Sequence, residues 1–482
     1  MAEPGGKIVL EVSTSGDSLA AAIDDNSLNP VPQEQRKSGW YLSWLPAGVA
    51  TSLLQLTIAG SITALVGSVL GLVTGALVGT FILVLGWLFG NIAKTEGLSS
   101  TVLPRLYGLG LRGSAISSLA FAIMIIGLLA SENVLLYNGT LFALGWHDSI
   151  GVRVLIYGVL TVLWVVLSMF GIRVVARTST VLVILFFGLL AFMMVKIYSE
   201  SGASLASAFT QASTMATGTR SDHLITVIGM LGGQGGALIL VNGDYCRYAR
   251  GTRAVGAVSL AGVIMLDIVG IALGVVVLTG GNKLVGQYLV AHGRATGSTA
   301  FAAANDVAAH NTGAYFIILS TGVGYALMCV AQAKVQVLNT YSASLALSNL
   351  YHVLTGRHPN RLVMILLANV ICLLMIAAGV FDKLSGFLSV LGIVVIGFIS
   401  LAVADFYIVG RGKRRELGEV ETVNWAGVLA LVFASVVAYA LVRGGVFPFG
   451  FITSTVLVLV VYPVLRSTVL KPRVAQPVAV AS

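Results

Sequence analysis

The sequence has 482 residues, of which 57% are hydrophobic and only 10% are charged. A soluble domain has about 25% charged residues, so this composition excludes an ordinary soluble protein and indicates a multi-pass membrane protein. The net charge of +9 does not predict nucleic-acid binding, because the basic residues stand between apolar runs and form no contiguous patch.

Apolar runs predict an all-α membrane protein with twelve transmembrane helices, since each crossing needs about 20 apolar residues. Polar residues precede the first span, and a polar, glycine-rich loop extends from the seventh span to about residue 313. Spans 1 to 12 are predicted at residues 42–66, 70–92, 113–137, 151–171, 178–198, 223–246, 256–280, 315–348, 362–381, 385–409, 424–442 and 447–466.

The distribution of lysine and arginine predicts the orientation. With the N-terminus placed in the cytoplasm, 20 of the 28 basic residues fall in cytoplasmic segments. This bias predicts a cell-membrane protein with both termini in the cytoplasm.

Span 6 contains four glycines around Gln234, in the sequence GGQGG. Glycine weakens a helix by about 1 kcal/mol relative to alanine, so we expect a break there, of the kind that forms a midplane site in secondary transporters. Pro46 and Gly48 predict a second break in span 1. The alternative is that the small residues only let neighbouring helices pack closely.

Breaks five spans apart predict a five-plus-five inverted repeat. Spans 1–5 form the first repeat and spans 6–10 the second, followed by spans 11 and 12 and flanked by two cytoplasmic tails. The predicted boundaries are 1–40 for the N-terminal tail, 41–200 and 201–412 for the repeats, 413–468 for the last two spans, and 469–482 for the C-terminal tail.

Four ionisable residues within or at the ends of spans are candidates for function, because a charge there costs at least ~2.5–3.5 kcal/mol. Glu132 in span 3 is a candidate site residue, or an interfacial carboxylate at a helix end. Asp267 in span 7 is a candidate for a structural polar pair with a neighbouring helix. Asp244 and Arg247, three residues apart at the end of span 6, predict a gate or a structural clamp.

Span 8 combines amides with a lysine. Gln332, Gln336 and Asn339 lie on one helical face, whereas Lys334 lies about 200° around the helix from Gln332. The amides could form hydrogen bonds with the edges of a heterocycle, or they could hold neighbouring helices together. Lys334 could be a titrating group, a fixed cation in place of a bound ion, or a lysine neutralised by Glu132 or Asp267.

Other function classes fit poorly. The six histidines lie at helix ends or in loops, which disfavours an intramembrane enzyme, and the three cysteines have no metal-binding spacing. Broken helices favour a substrate pocket over a continuous channel pore. We therefore expect a transporter in the lipid bilayer, with a small-molecule substrate, no cofactor, and no evident obligatory protein partner.

Five ordered landmarks carry a family resemblance. They are Asn29–Lys37 (NPVPQEQRK), Asn242–Arg250 (NGDYCRYAR), Tyr341–Leu345 with Asn349, Ala404–Arg415 (ADFYIVGRGKRR), and Val423–Trp425. Together they resemble the nucleobase–cation symporter family of cytosine, purine and hydantoin permeases, and are closest to purine-cytosine permeases.

The resemblance implies a LeuT-type fold that imports a nucleobase, such as cytosine or a purine, by cation-coupled symport with alternating access. It places a coupling cation beside Gly48 and Lys334. The substrate contacts that it implies are Ser52 in span 1, Leu128 and Glu132 in span 3, Gln234 and Gly235 in span 6, and Gln332 and Gln336 in span 8.

Departures from the family pattern modify this expectation. Leu128 stands where bacterial cytosine permeases usually have a stacking aromatic, and Glu132 suits a solute with donor groups or positive charge. The alternative substrate is therefore a vitamin-like, nucleoside or cationic heterocycle. Lys334 falls at a hydroxyl position of the family's sodium site, which predicts proton-coupled or sodium-independent transport.

Overall fold

A computed structural model describes residues 26, 28–169, 171–214, 218–416 and 420–472, with the side chains of 49–50 and 171–179 excepted. The predicted tails therefore lie mostly outside the described residues. The described residues form helices and no strand. The main helices are α1 (Gly39–Ala50), α2 (Leu53–Val66), α3 (Ser68–Glu96), α4 (Ser114–Leu144), α5 (Ile150–Ser168), α6 (Gly171–Ser201), α7 (Arg220–Cys246), α8 (Thr252–Val263), α9 (Gly270–Ala291), α10 (Ala300–His310), α11 (Thr312–Thr355), α12 (Arg361–Ala377), α13 (Leu384–Val403), α14 (Trp425–Arg443) and α15 (Gly450–Thr468).

The all-helical membrane architecture is confirmed, but the count of twelve spans is not. Within the described residues, ten helical segments are long and apolar enough to cross a bilayer, and the bent pair of α1 and α2 makes an eleventh. The predicted ninth span corresponds to α12, which has only 17 residues. It ends at Ala377 because the chain turns at Gly379, whose φ of 70° is a left-handed conformation.

The predicted break in span 1 is confirmed. Helices α1 and α2 meet at an angle of 66°, and the non-helical residues are Thr51 and Ser52. The Ser52 hydroxyl caps α2 by accepting a hydrogen bond from the Gln55 N–H at 3.0 Å. Pro46 lies inside α1, where it lacks the N–H that would extend the helical ladder.

The predicted break in span 6 is wrong. Helix α7 runs without interruption from Arg220 to Cys246, through all four glycines. The glycines are needed for close packing: a Cβ on Gly233 would lie 2.4 Å from the carbonyl oxygen of Leu388 in α13, and one on Gly232 would lie 2.2 Å from the Phe451 ring. Tertiary packing thus outweighs the low helix propensity of glycine.

Two irregular features were not predicted. Helix α11 departs from helical geometry at Ser320 and Thr321, which explains how its 44 residues exceed the length of one crossing. The π-helical segment Ile264–Val269 joins α8 to α9 and contains Asp267. In addition, the predicted loop before residue 313 contains the helix α10.

Two groups of helices form the core around the broken span. Helix α11 packs along α4 and α6, while α7 packs against α3 and α13. By contrast, α5 turns apolar side chains outward: Ile150, Val154 and Val162 are 82%, 69% and 64% exposed. Such a surface is expected of a helix that faces lipid.

The packing role of the α7 glycines predicts the effect of alanine substitutions. Gly233→Ala should lower the free energy of unfolding by about 1–3 kcal/mol, since the added methyl group meets a backbone carbonyl. Gly188→Ala in α6 is the matched control, because nothing lies within 4 Å of its Cβ position. Thermal unfolding in detergent measures both, and a Gly233→Ala protein as stable as the Gly188→Ala protein would contradict this packing role.

Candidate functional site

A small central pocket lies at the break between α1 and α2. Its volume is about 40 Å³, which is room for only a few water molecules. Four of the seven predicted substrate contacts line it, namely Ser52, Leu128, Glu132 and Gln234. The remaining lining residues are Leu54, Gln55, Ile125, Ala237, Leu238, Val241, Leu266, Val335 and Asn339.

Glu132 binds the start of α2. Its side chain is buried, and its Oε2 accepts a hydrogen bond from the Leu54 N–H at 3.2 Å. The first N–H groups of a helix have no partner within the helix and form its positive end, so this carboxylate is well placed. The interfacial interpretation is wrong, because α4 continues for twelve residues, or about 18 Å, beyond Glu132.

Lys334 binds the other side of the same break. Its Nζ donates a hydrogen bond to the carbonyl of Thr51, which follows the last residue of α1, and lies 3.4 Å from the carbonyl oxygen of Ala331. It also lies 4.1 Å from the centroid of the Phe186 ring. Its close partners are therefore carbonyl oxygens and an aromatic face, and among the described residues it forms no ion pair with Glu132 or Asp267.

The amide of Gln234 reaches the pocket through a pair with Gln55. The Gln234 Nε2 donates to the Gln55 Oε1 at 2.6 Å, and the Gln55 Nε2 donates to the carbonyl of Leu266 at 3.1 Å. The Gln234 Oε1 is buried and has no partner within the described part of the chain. Sequence reasoning missed Gln55, although it is the one amide in an otherwise apolar run just after the predicted break.

Three predicted contacts do not line the pocket. Gln332 donates to the carbonyl of Glu132 at 2.8 Å, and Gln336 donates to the Asn133 Oδ1 at 2.6 Å, so both tie α11 to α4. Gly235 faces Ile82 of α3, 2.4 Å from the position of a Cβ atom. The structure brings these residues into helix packing beside the site, and a direct role in substrate binding stays a prediction.

A clasp closes one end of the molecule, which we call the basic end because it carries Arg36, Lys94, Arg247 and Arg250. The segment before α1 bonds to the end of α3, where the Val31 N–H donates to the carbonyl of Gly97 at 2.9 Å. It also bonds to the end of α7, where the Lys37 N–H donates to the carbonyl of Tyr248 at 2.6 Å. The Arg36 guanidinium donates to the carbonyl of Lys94 at 2.9 Å.

Arg247 and Asp244 form the inner part of this clasp. Arg247 is fully buried and donates to the carbonyl of Asn26 at 2.6 Å and to the Tyr341 hydroxyl at 3.0 Å. The Asp244 carboxylate accepts a hydrogen bond from the Ser100 N–H at 2.8 Å. The two residues thus join α7, α11 and the N-terminal segment at the place where the sequence predicted a gate or clamp.

A larger cavity opens at the opposite end, which we call the neutral end. Its volume is about 420 Å³, and exposed Asp306 and His310 of α10 lie at its rim. Leu56 and Thr57 line it, whereas the preceding residues of α2 line the central pocket. Adjacent residues of α2 therefore separate the two spaces.

Asp267 does not form the expected polar pair. It is completely buried, and neither carboxylate oxygen has a hydrogen-bond partner among the described residues. Its neighbour in α3 is Gly79, where a Cβ atom would lie 3.2 Å from the Asp267 Oδ2. The expectation failed because the facing positions of α3 are glycines, which have no side chain to offer.

The chemistry of the pocket is polar at one edge and aliphatic elsewhere. None of its described lining residues is aromatic. The described residues also contain no cluster of three histidine, cysteine or acidic side chains that could hold a metal ion. The Glu132 carboxylate can therefore accept hydrogen bonds from N–H groups of a solute, and the side-chain amides can both donate and accept hydrogen bonds.

The clasp predicts a change in the reactivity of Cys246, which precedes Arg247 in the sequence and is completely buried, with its thiol facing Gly90 of α3. With Cys329 and Cys372 changed to serine, Arg247→Ala should speed maleimide labelling of Cys246 about tenfold or more. The reason is that a hydrogen bond from a charged group contributes about 1.5–3 kcal/mol and each 1.4 kcal/mol is about tenfold. Arg253→Ala, at an exposed position nearby, is the control, and equal labelling rates in the two variants would contradict the clasp.

Comparison with known proteins gives the fold. No family model and no curated protein matches the sequence. Among solved structures, Mhp1, a nucleobase-cation-symport-1 family transporter in a closed conformation with bromovinylhydantoin bound, superimposes with a TM-score of 0.70 at 16% identity, covering 92% of this chain and 95% of that chain.

Two other transporters are similar over the same extent. A sodium-coupled sialic acid symporter matches with a TM-score of 0.62 at 15% identity, covering 93% of this chain and 95% of that one. The Eremococcus coleocola manganese transporter matches with a TM-score of 0.54 at 12% identity, covering 92% and 98%. The chain is therefore a multi-pass membrane protein with the LeuT-type fold of Mhp1, a nucleobase-cation-symport-1 family transporter.

Proposed function

We propose that the protein is a secondary active transporter that imports a small heterocycle of the nucleobase type, such as cytosine or a purine, in symport with protons and without sodium. The observation that carries the proposal is the broken span, with Glu132 at the start of α2 and Lys334 at the end of α1. The fold supports it, because Mhp1 has been solved with a substituted hydantoin, itself a small heterocycle.

The polar edge of the pocket suits the edge of a heterocycle. Glu132 accepts hydrogen bonds from ring N–H or amino groups, while the free Oε1 of Gln234 accepts one more. Asn339, which also lines the pocket, can both donate and accept a hydrogen bond. A donor-rich solute satisfies these buried polar atoms, whereas an apolar solute of the same shape leaves them without partners.

Transport by alternating access requires the pocket to open at each end in turn. Ligand pockets usually measure about 300–1,000 Å³, so the 40 Å³ pocket has to widen before it holds a heterocycle. We infer that α2 tilts to join it to the cavity at the neutral end. Release at the basic end requires the clasp of Arg36 and Arg247 to separate.

Lys334 takes the place of a coupling sodium ion in this proposal. Sodium prefers oxygen ligands, and the Lys334 ammonium already binds the carbonyl of Thr51 beside that of Ala331. The unpaired carbonyls at the end of a helix attract any cation. A fixed ammonium therefore satisfies the carbonyl end of the break without a metal ion, and the driving cation is the proton.

A cationic heterocycle is the second candidate substrate. Two observations favour it: the buried Glu132 carboxylate, and the lack of an aromatic ring among the described pocket residues. Stacking contributes about 1–3 kcal/mol per base, and this pocket offers none. A positively charged ring would gain instead from attraction to Glu132.

Ligand-induced stabilisation tests the proposed substrate class. Purified protein is heated with cytosine, purines, nucleosides and charged heterocycles such as thiamine, and a ligand at 100 times its Kd should stabilise the fold by about 2.7 kcal/mol. Glu132→Gln should weaken binding about 10- to 150-fold, the equivalent of about 1.5–3 kcal/mol. Glu200→Gln, at an exposed position in α6, is the control.

The outcome separates the two candidates. Stabilisation by cytosine or a purine supports the nucleobase, whereas stabilisation only by charged heterocycles transfers the proposal to the cationic solute. If no compound of the panel stabilises the protein, both candidates are wrong.

Sodium dependence tests the role of Lys334. Wild-type uptake and ligand affinity should be the same in sodium and choline chloride, because the ammonium occupies the place of the ion. Lys334→Ser should lose uptake in choline and gain thermal stabilisation by sodium, since the Thr51 carbonyl then lacks its cation. Lys196→Ser, at a half-exposed position in α6, is the control, and sodium-stimulated uptake by the wild type would refute this role.

A further inference from the structure

Asp267 is a buried acid without a use in the site described so far. It lies at 0% exposure in the π-helical segment Ile264–Val269, and both carboxylate oxygens lack a hydrogen-bond partner within the described residues. A buried charge without a partner or donor is strongly unfavourable. The arrangement in this conformation therefore suits a neutral carboxylic acid.

The elements packed against this segment supply no counter-charge. It contacts α1 and α3 and continues into α8 and α9. Asp267 faces Gly75 and Gly79 of α3, and α1 contains no charged residue. At a rise of 1.5 Å per residue, Lys94 lies about 22 Å along α3 from Gly79. On the same basis Arg253 lies about 21 Å from Asp267, and Lys283 lies about 24 Å from it. The titratable tyrosines of these elements, Tyr41 in α1 and Tyr288 in α9, lie near helix ends, away from Asp267.

A direct structural path connects Asp267 to the pocket. The preceding residue, Leu266, lines the pocket, and its carbonyl accepts the hydrogen bond from Gln55. Gln55 in turn accepts one from Gln234. A solute that binds Gln234, or a tilt of α2 that moves Gln55, therefore changes the hydrogen bond at the π-helical turn that holds Asp267. Such π-helical turns recur at functional sites.

We propose that Asp267 is the proton-carrying residue of the transport cycle, an inference that rests on the proposed proton-coupled import. Its carboxylate takes a proton from water when the pocket is open at the neutral end, and the neutral acid is then buried beside Gly79. When the basic end opens, the acid gives the proton to water there. Each cycle moves one proton with the solute.

The first test needs no substrate. The labelling rate of Cys246 reports opening of the basic end in the background without Cys329 and Cys372. Asp267→Asn mimics the neutral acid, so Cys246 should be labelled slowly in this variant. The ratio of the wild-type labelling rate to the Asp267→Asn labelling rate should rise several-fold from acid to alkaline pH. The ionisation of the thiol itself contributes equally to all variants and cancels in this ratio. Asp382→Asn, at an exposed position, should follow the wild type.

Two further measurements complete the test. The infrared difference spectrum of the wild type between acid and alkaline pH should contain the C=O band of a buried carboxylic acid, absent from Asp267→Asn and present in Asp382→Asn. Asp267→Ser replaces Asp267→Asn if the latter does not fold. In proteoliposomes, Asp267→Asn should exchange radiolabelled cytosine across the membrane but no longer accumulate it in response to a pH gradient.

The outcomes distinguish the two proposals. Identical pH profiles of Cys246 labelling in the wild type and Asp267→Asn, or pH-driven cytosine accumulation retained by Asp267→Asn, would overturn the role of Asp267. If the wild type itself neither exchanges nor accumulates cytosine, the nucleobase assignment fails, and the labelling ratio and infrared band still decide whether Asp267 carries the proton.

Discussion

The structure depends on how one broken membrane helix is held together. The break at Thr51 and Ser52 leaves carbonyls at the end of α1 and N–H groups at the start of α2, and inside a bilayer these groups need partners from the protein or from a water-filled cavity. Lys334 from α11 binds the carbonyl end, and Glu132 from α4 binds the N–H end. Charges that would be costly alone thereby satisfy opposite ends of two helix dipoles.

The helices around this break form a close-packed frame. Helix α7 stays continuous because its glycines let α3, α13 and α15 approach within contact distance. Gln332 and Gln336 tie α11 to α4 with their amide N–H groups, so that the helices carrying Lys334 and Glu132 keep a fixed register. The frame leaves α2 as the element whose first turns separate the central pocket from the cavity at the neutral end.

The clasp and the buried Asp267 are both connected to the same break. The clasp at the basic end is built from backbone bonds of the segment that leads directly into α1, so opening that end has to move the first half of the broken span. On the other side, Gln55 in the first turn of α2 bonds to the carbonyl before Asp267. Movement of α1 thus changes the clasp, and movement of α2 changes the hydrogen bond next to the buried Asp267.

The sequence by itself determined the membrane class, most of the helix boundaries and the break in span 1, and it singled out Glu132, Lys334 and Gln234 as candidates, because apolar length and isolated polar residues are visible along one chain. Only the tertiary structure decided the rest. The glycines in GGQGG are compatible either with a break or with close packing. Packing was decided by the neighbours Leu388 and Phe451, which are distant from these glycines in the sequence. Likewise, whether Asp267 has a partner depends on which face of α3 it meets, and that face is glycine. Propensity and periodicity describe one helix at a time, whereas packing partners are set by the arrangement of all of them.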